Sequence, residues 1–233
     1  MQIYGKNPIL EAYRAGRKIH EVFAQKGRKD DFLDTLSEKG IPLRYLPKSV
    51  LDKRFGTSHQ GLVATVEGYK LFSLDEALDK EGRKLFVMLD SVEDPHNLGA
   101  VIRNAEVFGA SGVIIPKHRS ASITPGVVKA SAGSVEYVDI IQVTNLNRAI
   151  EKLKSANVWV AGFDVATDKT LSGIHADVDL CLVFGNEHKG LRPLVKKNCD
   201  YLVKIPMRGT LNSLNVSVAT GIALYDVLRR REG

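Results

Sequence analysis

Three stretches of this 233-residue chain place residues where chemistry is possible. Ser213-Leu-Asn215 follows a polar loop and precedes Val216, Ala219, Ile222, Ala223 and Leu224, which recur at helical spacing. Ser and Asn are good helix N-caps, and the free N–H groups of a helix start attract electron-rich ligand atoms. Local physics alone favours the plainer reading, a capped and buried helix. Asn97 and Arg103 stand six residues apart at the start of a second predicted helix, Leu98–Phe108, with Asn97 at its N-cap. An Arg beside Val101, Ile102 and Ala105 either meets an anionic partner or extends its head to solvent. Gly185-Asn-Glu187 closes the apolar run Leu180–Phe184. Ligands on open α/β sheets sit beyond strand C-termini, and Gly185 permits close backbone approach there. Glu187 could accept hydrogen bonds from a ligand or RNA, or anchor a helix start at Gly190.

The elements that must hold these residues alternate. Residues 1–66 read as a small α/β module. Asn7-Pro8 opens a helix as N-cap and N1, and Gly16 ends it. Strands follow at Ile19–Ala24, Ile41–Leu46 and Gly61–Val66, with helices at Asp31–Lys39 and Ser49–Phe55. His59-Gln60-Gly61 reads either as an RNA-contacting turn or as a strand entry. Residues 67–83 are polar and form a linker with a short helix, Leu74–Leu78. From residue 84 to 233 near-continuous apolar strands (Leu85–Leu89, Val113–Ile115, Glu136–Val143, Val158–Phe163, Leu180–Phe184, Tyr201–Ile205) alternate with helices, notably Leu146–Ala156. That pattern predicts a mostly parallel sheet covered on both faces. Pro206 cannot donate to a ladder and stops the last strand.

Charge is uneven. Residues 1–70 hold 13 basic and 8 acidic residues, whereas the remainder holds 20 and 19. A basic module ahead of a near-neutral body suits polyanion binding, and equally suits a solvated surface. With 44% hydrophobic residues the chain can bury a core, which argues against disorder. Cys181 and Cys199 make no metal or redox spacing. The six histidines show no paired-ligand spacing, so no metal is expected. There is no apolar leader at Met1–Pro8 and no membrane-length run, so a reducing cytoplasmic location is expected. Dinucleotide and phosphate-loop glycine signatures are absent; Gly185…Gly190 is followed by Leu191-Arg192.

Taken together, Asn97-x-Gly-Ala-x-x-Arg103 with Phe108-Gly109, Gly185-x-Glu187-x-x-Gly190, and Ile205-Pro-Met-x-Gly209 with Ser213-Leu-Asn-Val-Ser-x-Ala219 resemble, in order, the three motifs of the SpoU/TrmH family of RNA ribose 2′-O-methyltransferases in the SPOUT superfamily. Tyr4-Gly-Lys-Asn-Pro8 and His59-Gln-Gly-Leu-Val-Ala64 resemble the ribosomal-protein-like RNA-binding domain fused to some members, closest to the bacterial 23S rRNA guanosine 2′-O-methyltransferase group. The resemblance implies an α/β SPOUT domain with a deep trefoil knot over residues 84–233. It implies S-adenosylmethionine held by backbone at Gly185, Ile205 and Leu214. It also implies a catalytic set of Asn97, Arg103, Glu187, Ser213 and Asn215, and a homodimer. The implied substrate is a guanosine in 23S rRNA. The alternatives are the same chemistry on tRNA, or an RNA-binding protein that keeps the fold without chemistry.

Overall fold

Apolar strand runs, helical apolar periods and the turn formers between them lay down ten strands and nine α-helices among the described residues. The computed structural model describes residues 1–118, 120–186, 189–210 and 213–233. In the N-terminal part the order is β1 (Gln2–Tyr4), α1 (Lys6–Arg14), β2 (Ile19–Gln25), α2 (Asp31–Glu38), β3 (Leu43–Leu46), α3 (Lys48–Phe55) and β4 (Leu62–Val66). Its sheet runs β1-β4-β2-β3. β4 is antiparallel to both β1 and β2, and β2 is parallel to β3. Then come α4 (Leu74–Leu78), β5 (Leu85–Asp90), α5 (Pro95–Val107), β6 (Gly112–Pro116), α6 (Pro125–Ala130), β7 (Asp139–Val143), α7 (Leu146–Ser155), β8 (Trp159–Phe163), β9 (Leu180–Gly185), α8 (Pro193–Asn198), β10 (Tyr201–Val203) and α9 (Val216–Glu232).

The second sheet is parallel throughout, in the order β10-β8-β9-β5-β6-β7. Every residue of β5 is buried. Side chains alternate across its plane. Leu85, Val87 and Leu89 join a core with α5, α6 and α9, while Phe86 and Met88 join one with α4, α7 and α8. The chain runs outward from β5 through β6 and β7. It then crosses to lay down β8, inserts β9 between β8 and β5, and adds β10 outside β8. Strand order therefore changes direction beside β5, and ligand crevices form outside the carboxyl ends of strands at such points.

Several local expectations shift. α1 begins at Lys6 with Gly5 at the N-cap, so Asn7 is not the cap and Pro8 falls at the third helical position. That N–H would have no intrahelical partner anyway. A strand at Gln2–Tyr4 and helices α6 and α8 add to the expected set. The predicted strand from Glu136 opens instead with a 3₁₀ turn at Ser134–Glu136, and pairing starts at Asp139. β10 ends at Val203, with Lys204 making a single bridge to Thr170.

Residues 67–83 are ordered against the second sheet. Phe72 donates its N–H to Ile140 and bridges Ile141, and α4 is closed by a capping box between Ser73 and Glu76. The two parts of the chain are docked. Arg17 Nε donates to Glu136 Oε2 at 2.7 Å, and the Glu136 side chain is 1% exposed. The Arg17 guanidinium lies 3.7 Å from the centroid of Tyr69, whose hydroxyl donates to Glu136 Oε1 at 2.8 Å. Burial first, and the Glu136 carboxylate second, hold the Tyr69 phenol far above its ordinary pKa. Tyr137 donates to Glu11 and Lys129 to the Ser58 carbonyl. Gly133, at φ 95°, lets α1 approach where a Cβ would strike the Glu11 side chain.

Candidate active site

A cleft of about 510 Å³ opens at the carboxyl ends of β8, β9 and β10. One wall is Phe163, Asp164 and Val165, a second is Gly185 and Asn186, and a third is Val203, Lys204 and Ile205. Ser213 and Leu214 close it from the segment that enters α9. The rings of Phe163 and Phe184 stack at 4.3 Å and 18°, giving the cleft an aromatic floor. Asp164 accepts from the Ala166 N–H at 2.8 Å and from Lys196 at 2.9 Å, so its charge is neutralised within the wall. The expected cofactor residues Gly185, Ile205 and Leu214 all line this one cleft, together with the expected catalytic Ser213.

Asn215 is the N-cap of α9, which decides between Ser213 and Asn215, the two capping residues that the sequence places at the helix entry. Its Oδ1 accepts from the Ser217 N–H at 3.0 Å, which leaves Nδ2 to donate to Asn97 Oδ1 at 2.8 Å. That contact joins residues 118 apart in sequence. Asn97 is not a cap. Asp94 takes that place, accepting from the His96 N–H, and Pro95 follows it in the first turn. The Asp-Pro pair is the stronger start signal and moves the helix start upstream. Asn97 instead sits within the first turn, turned toward Asn215. Asn104 Nδ2 donates to the Ser217 carbonyl at 2.7 Å and pins α5 to α9 a second time.

Arg103 is not brought into the cleft. Six helical residues carry it about 9 Å along α5 and about 120° around the axis from Asn97. It is exposed, and among the described residues no hydrogen bond or ion pair holds its guanidinium. The snorkelling reading of this Arg describes its place in a single chain. Glu187, expected in the catalytic set, lies outside the described residues.

Gly185 has a reason for being glycine that the sequence did not disclose. A Cβ there would collide with the chain's own Gly190 carbonyl and Leu191 nitrogen. The close approach is between β9 and its returning loop. No helix starts at Gly190; α8 begins at Pro193 with Arg192 as its N-cap. His59 is 1% exposed, accepts the Gly61 N–H at Nδ1 and faces Asp52 from Nε2 at 2.9 Å, so it fastens the entry to β4. Phe163, Asp164 and Val165 escaped sequence reasoning as site residues, although their position at and just after the end of an apolar strand marks the same strand-end rule that pointed to Gly185. Among the described residues no cluster of His, Cys, Asp or Glu could hold a metal, and no helix is long and apolar enough to cross a membrane.

The model of the SpoU rRNA methylase family matches residues 84–225, and that of the RNA 2′-O ribose methyltransferase substrate-binding domain matches residues 2–72. A Bacillus subtilis protein named for the TrmH family of tRNA/rRNA methyltransferases is 38% identical over 98% of this chain and 95% of its own. The crystal structure of an AdoMet-bound rRNA methyltransferase from Sinorhizobium meliloti superposes with a TM-score of 0.83 at 27% identity, over 98% of this chain and 87% of that one. A TrmH/SpoU tRNA-modifying enzyme of A. aeolicus reaches 0.59 at 31% identity, over 68% of this chain and 81% of its own. With Gly185, Ile205, Ser213 and Leu214 converging on one cleft and the two family models together covering residues 2–72 and 84–225, this chain belongs to the SpoU rRNA methylase family and is an RNA methyltransferase.

Proposed function

We propose that this RNA 2′-O-methyltransferase uses S-adenosylmethionine to methylate the ribose of a guanosine in 23S rRNA. The observation that carries the reading is the convergence of Gly185, Ile205, Ser213 and Leu214 on one cleft, with Asn215 bonded to Asn97 beside it. The cleft's volume is that of a site for a ligand of this size. Its stacked rings and Val165 suit an adenine face, and its strand-end backbone suits the polar edge of the group. When bound, the cofactor supplies a methyl already activated on sulfonium. The protein's task is to aim the 2′-oxygen in line with that methyl and to stabilise the charge that develops as the hydroxyl loses its proton. Ser213 and the Asn97–Asn215 pair are assigned to positioning at the cleft, and Glu187 joins them on family resemblance.

Arg103 is assigned to the RNA side. A guanidinium hardly deprotonates in proteins, so it serves as a phosphate grip or an oxyanion stabiliser rather than a base. Its place outside its own cleft is accounted for by a homodimer. Val107, one turn along the same face of α5, is 60% exposed; Val218, Ile222 and Tyr225 form an exposed apolar stripe on the adjoining α9. Such a contiguous stripe marks an interaction surface, and a second copy seated on it would bring Arg103 to the partner's cleft. The deep knot is part of the same reading.

The rRNA choice rests on coverage. Likeness to an rRNA methyltransferase covers 98% of the chain, whereas likeness to a tRNA-modifying enzyme covers 68% of it. The test is methyl transfer from labelled S-adenosylmethionine to purified 23S rRNA and to bulk tRNA, followed by mapping of ribose methylation. Label in tRNA alone would overturn the rRNA reading, and no label in either would overturn the reaction.

A further inference from the structure

We infer that Asp90 is a positioning residue whose carboxylate clamps the returning loop after β9 and so keeps the cleft formed. The inference rests on the reading that the cleft holds S-adenosylmethionine. Asp90 is the last residue of β5 and pairs in register with Gly185, the cleft residue that ends β9. It is completely buried. Oδ2 accepts the backbone N–H of Arg192 at 2.8 Å, and Oδ1 accepts Arg192 Nε at 2.6 Å. The Ser91 hydroxyl adds a weaker bond to Oδ1 at 3.2 Å.

The same carboxylate thus grips one residue through both its main chain and its side chain. A residue held at two points is fixed in orientation as well as place. Arg192 is the far end of the loop that leaves Gly185. At the near end Asn186 donates Nδ2 to the Ser91 carbonyl and accepts the Gly190 N–H on its own carbonyl, at 3.2 and 2.8 Å. Between these fastenings Gly190 and Leu191 lie against Gly185 with no space for a side chain. Gly185, Asn186, Lys189 and Gly190 are a wall of the cleft. Remove the clamp and that wall can lift from β9.

A buried Asp near an active site invites a role as proton acceptor. Its complete burial and the engagement of both oxygens exclude contact with an RNA hydroxyl. Its action runs through the loop.

The experiment uses the full-length protein. S-adenosylmethionine is titrated calorimetrically into wild type, Asp90→Asn, Arg192→Ala and the double variant, with circular dichroism to verify folding. Steady-state methyl transfer is measured on the RNA that wild type modifies. Loss of one charge-assisted hydrogen bond weakens a closed form by about tenfold or more. Cofactor Kd and KM are expected to rise together by the factor by which the closed fraction falls, because the apparent Kd is the intrinsic value divided by that fraction. Turnover at saturating cofactor and the KM for RNA should stay within about twofold, because chemistry in the closed form is intact. The double variant should be little worse than the poorer single one, because the two side chains share one interaction. A merely structural role would instead lower kcat through loss of active protein and leave the cofactor KM unmoved. If Asp90→Asn does not fold, Arg192→Ala decides, since its change is on the half-exposed partner and keeps the backbone bond to Asp90. An unchanged cofactor Kd and KM in a folded variant overturns the inference. Failure of wild type to bind S-adenosylmethionine overturns the cofactor reading as well, and is a distinct result.

Discussion

Arg103 carries its charge into solvent from α5, while Val101, Ile102 and Ala105 beside it are core. Arg103→Ala therefore costs little packing. Thermal stability and S-adenosylmethionine affinity are expected to stay near wild type while single-turnover methyl transfer falls by about 10²–10³, the usual cost of losing a strong charge stabiliser. Arg103→Lys divides the roles, because it keeps a point charge and loses the planar fork. Partial rescue favours an oxyanion role, and no rescue favours a two-pronged phosphate grip. Near wild-type turnover in folded Arg103→Ala would remove it from the machinery. The cysteines predict the opposite behaviour, inertness. Burial, and secondarily Asp200, push the Cys199 thiol up to about 12, and burial holds Cys181 well above the ordinary thiol range. At pH 8 only on the order of 10⁻⁴ of Cys199 is thiolate. Labelling by a thiol-specific disulfide reagent should be negligible in the native protein and stoichiometric in denaturant. Rapid native labelling would contradict that burial.

At the scale of an element, α9 links helix capping to the site. Asn215 uses one end of its amide for the cap and the other for Asn97. Asn215→Asp retains the capping oxygen and loses the donor. Its melting temperature should change little while transfer drops. Asn215→Ala loses both, and should add about 1 kcal/mol of destabilisation by the usual value of a cap. Equal transfer rates in wild type and Asn215→Asp would show that the Asn97 contact has no part in positioning. A cap at this helix entry was legible, because Ser or Asn before an apolar helical period is a local signal; that Asn215 rather than Ser213 takes the place was not. Asn97 looked similar and was not a cap. Asp94-Pro95, one turn earlier, competes for the same helix and wins, and the apolar period alone does not reveal where a polar first turn begins. α6 and α8 are short and marked mainly by a leading Pro, too few residues for a period to declare itself.

Across the whole molecule, the basic N-terminal part and the sheet that bears the cleft share one continuous apolar core. Deleting residues 1–66 would bare that core, so point changes test the module better. Arg17→Ala breaks the buried contact to Glu136 and should cost about 1.5–3 kcal/mol. It should also raise protease sensitivity near residues 67–73, with cofactor affinity unchanged and RNA turnover reduced. Unchanged RNA turnover would mean that docking does not set the distance from RNA anchor to cleft. Lys26→Glu with Lys29→Glu changes exposed charges that have no ion partner among the described residues. If they meet phosphates, RNA affinity falls and the salt slope of log K shrinks by about 0.7–0.9 for each phosphate that is no longer neutralised. Equal binding at several salt concentrations would move the RNA track elsewhere.

The alternation of strand and helix, the parallel sheet and the strand-end position of Gly185 were determined by the sequence, because period, Gly and Pro act within a few residues of themselves. So was the entry into α9 at residues 213–215, although Ser213 and Asn215 were equally suited to cap it. Only the tertiary structure decided that β9 inserts beside β5, which brings Gly185 into register with Asp90 and sets the clamp on Arg192. It decided that Phe163–Val165 are a wall of the cleft, that Asn97 meets Asn215, that Arg103 stands away from both, and that Glu136 receives Arg17. Each of these joins residues tens to more than a hundred positions apart. Such contacts depend on which strands become neighbours, and a local pattern of polarity is the same whichever neighbour a strand acquires.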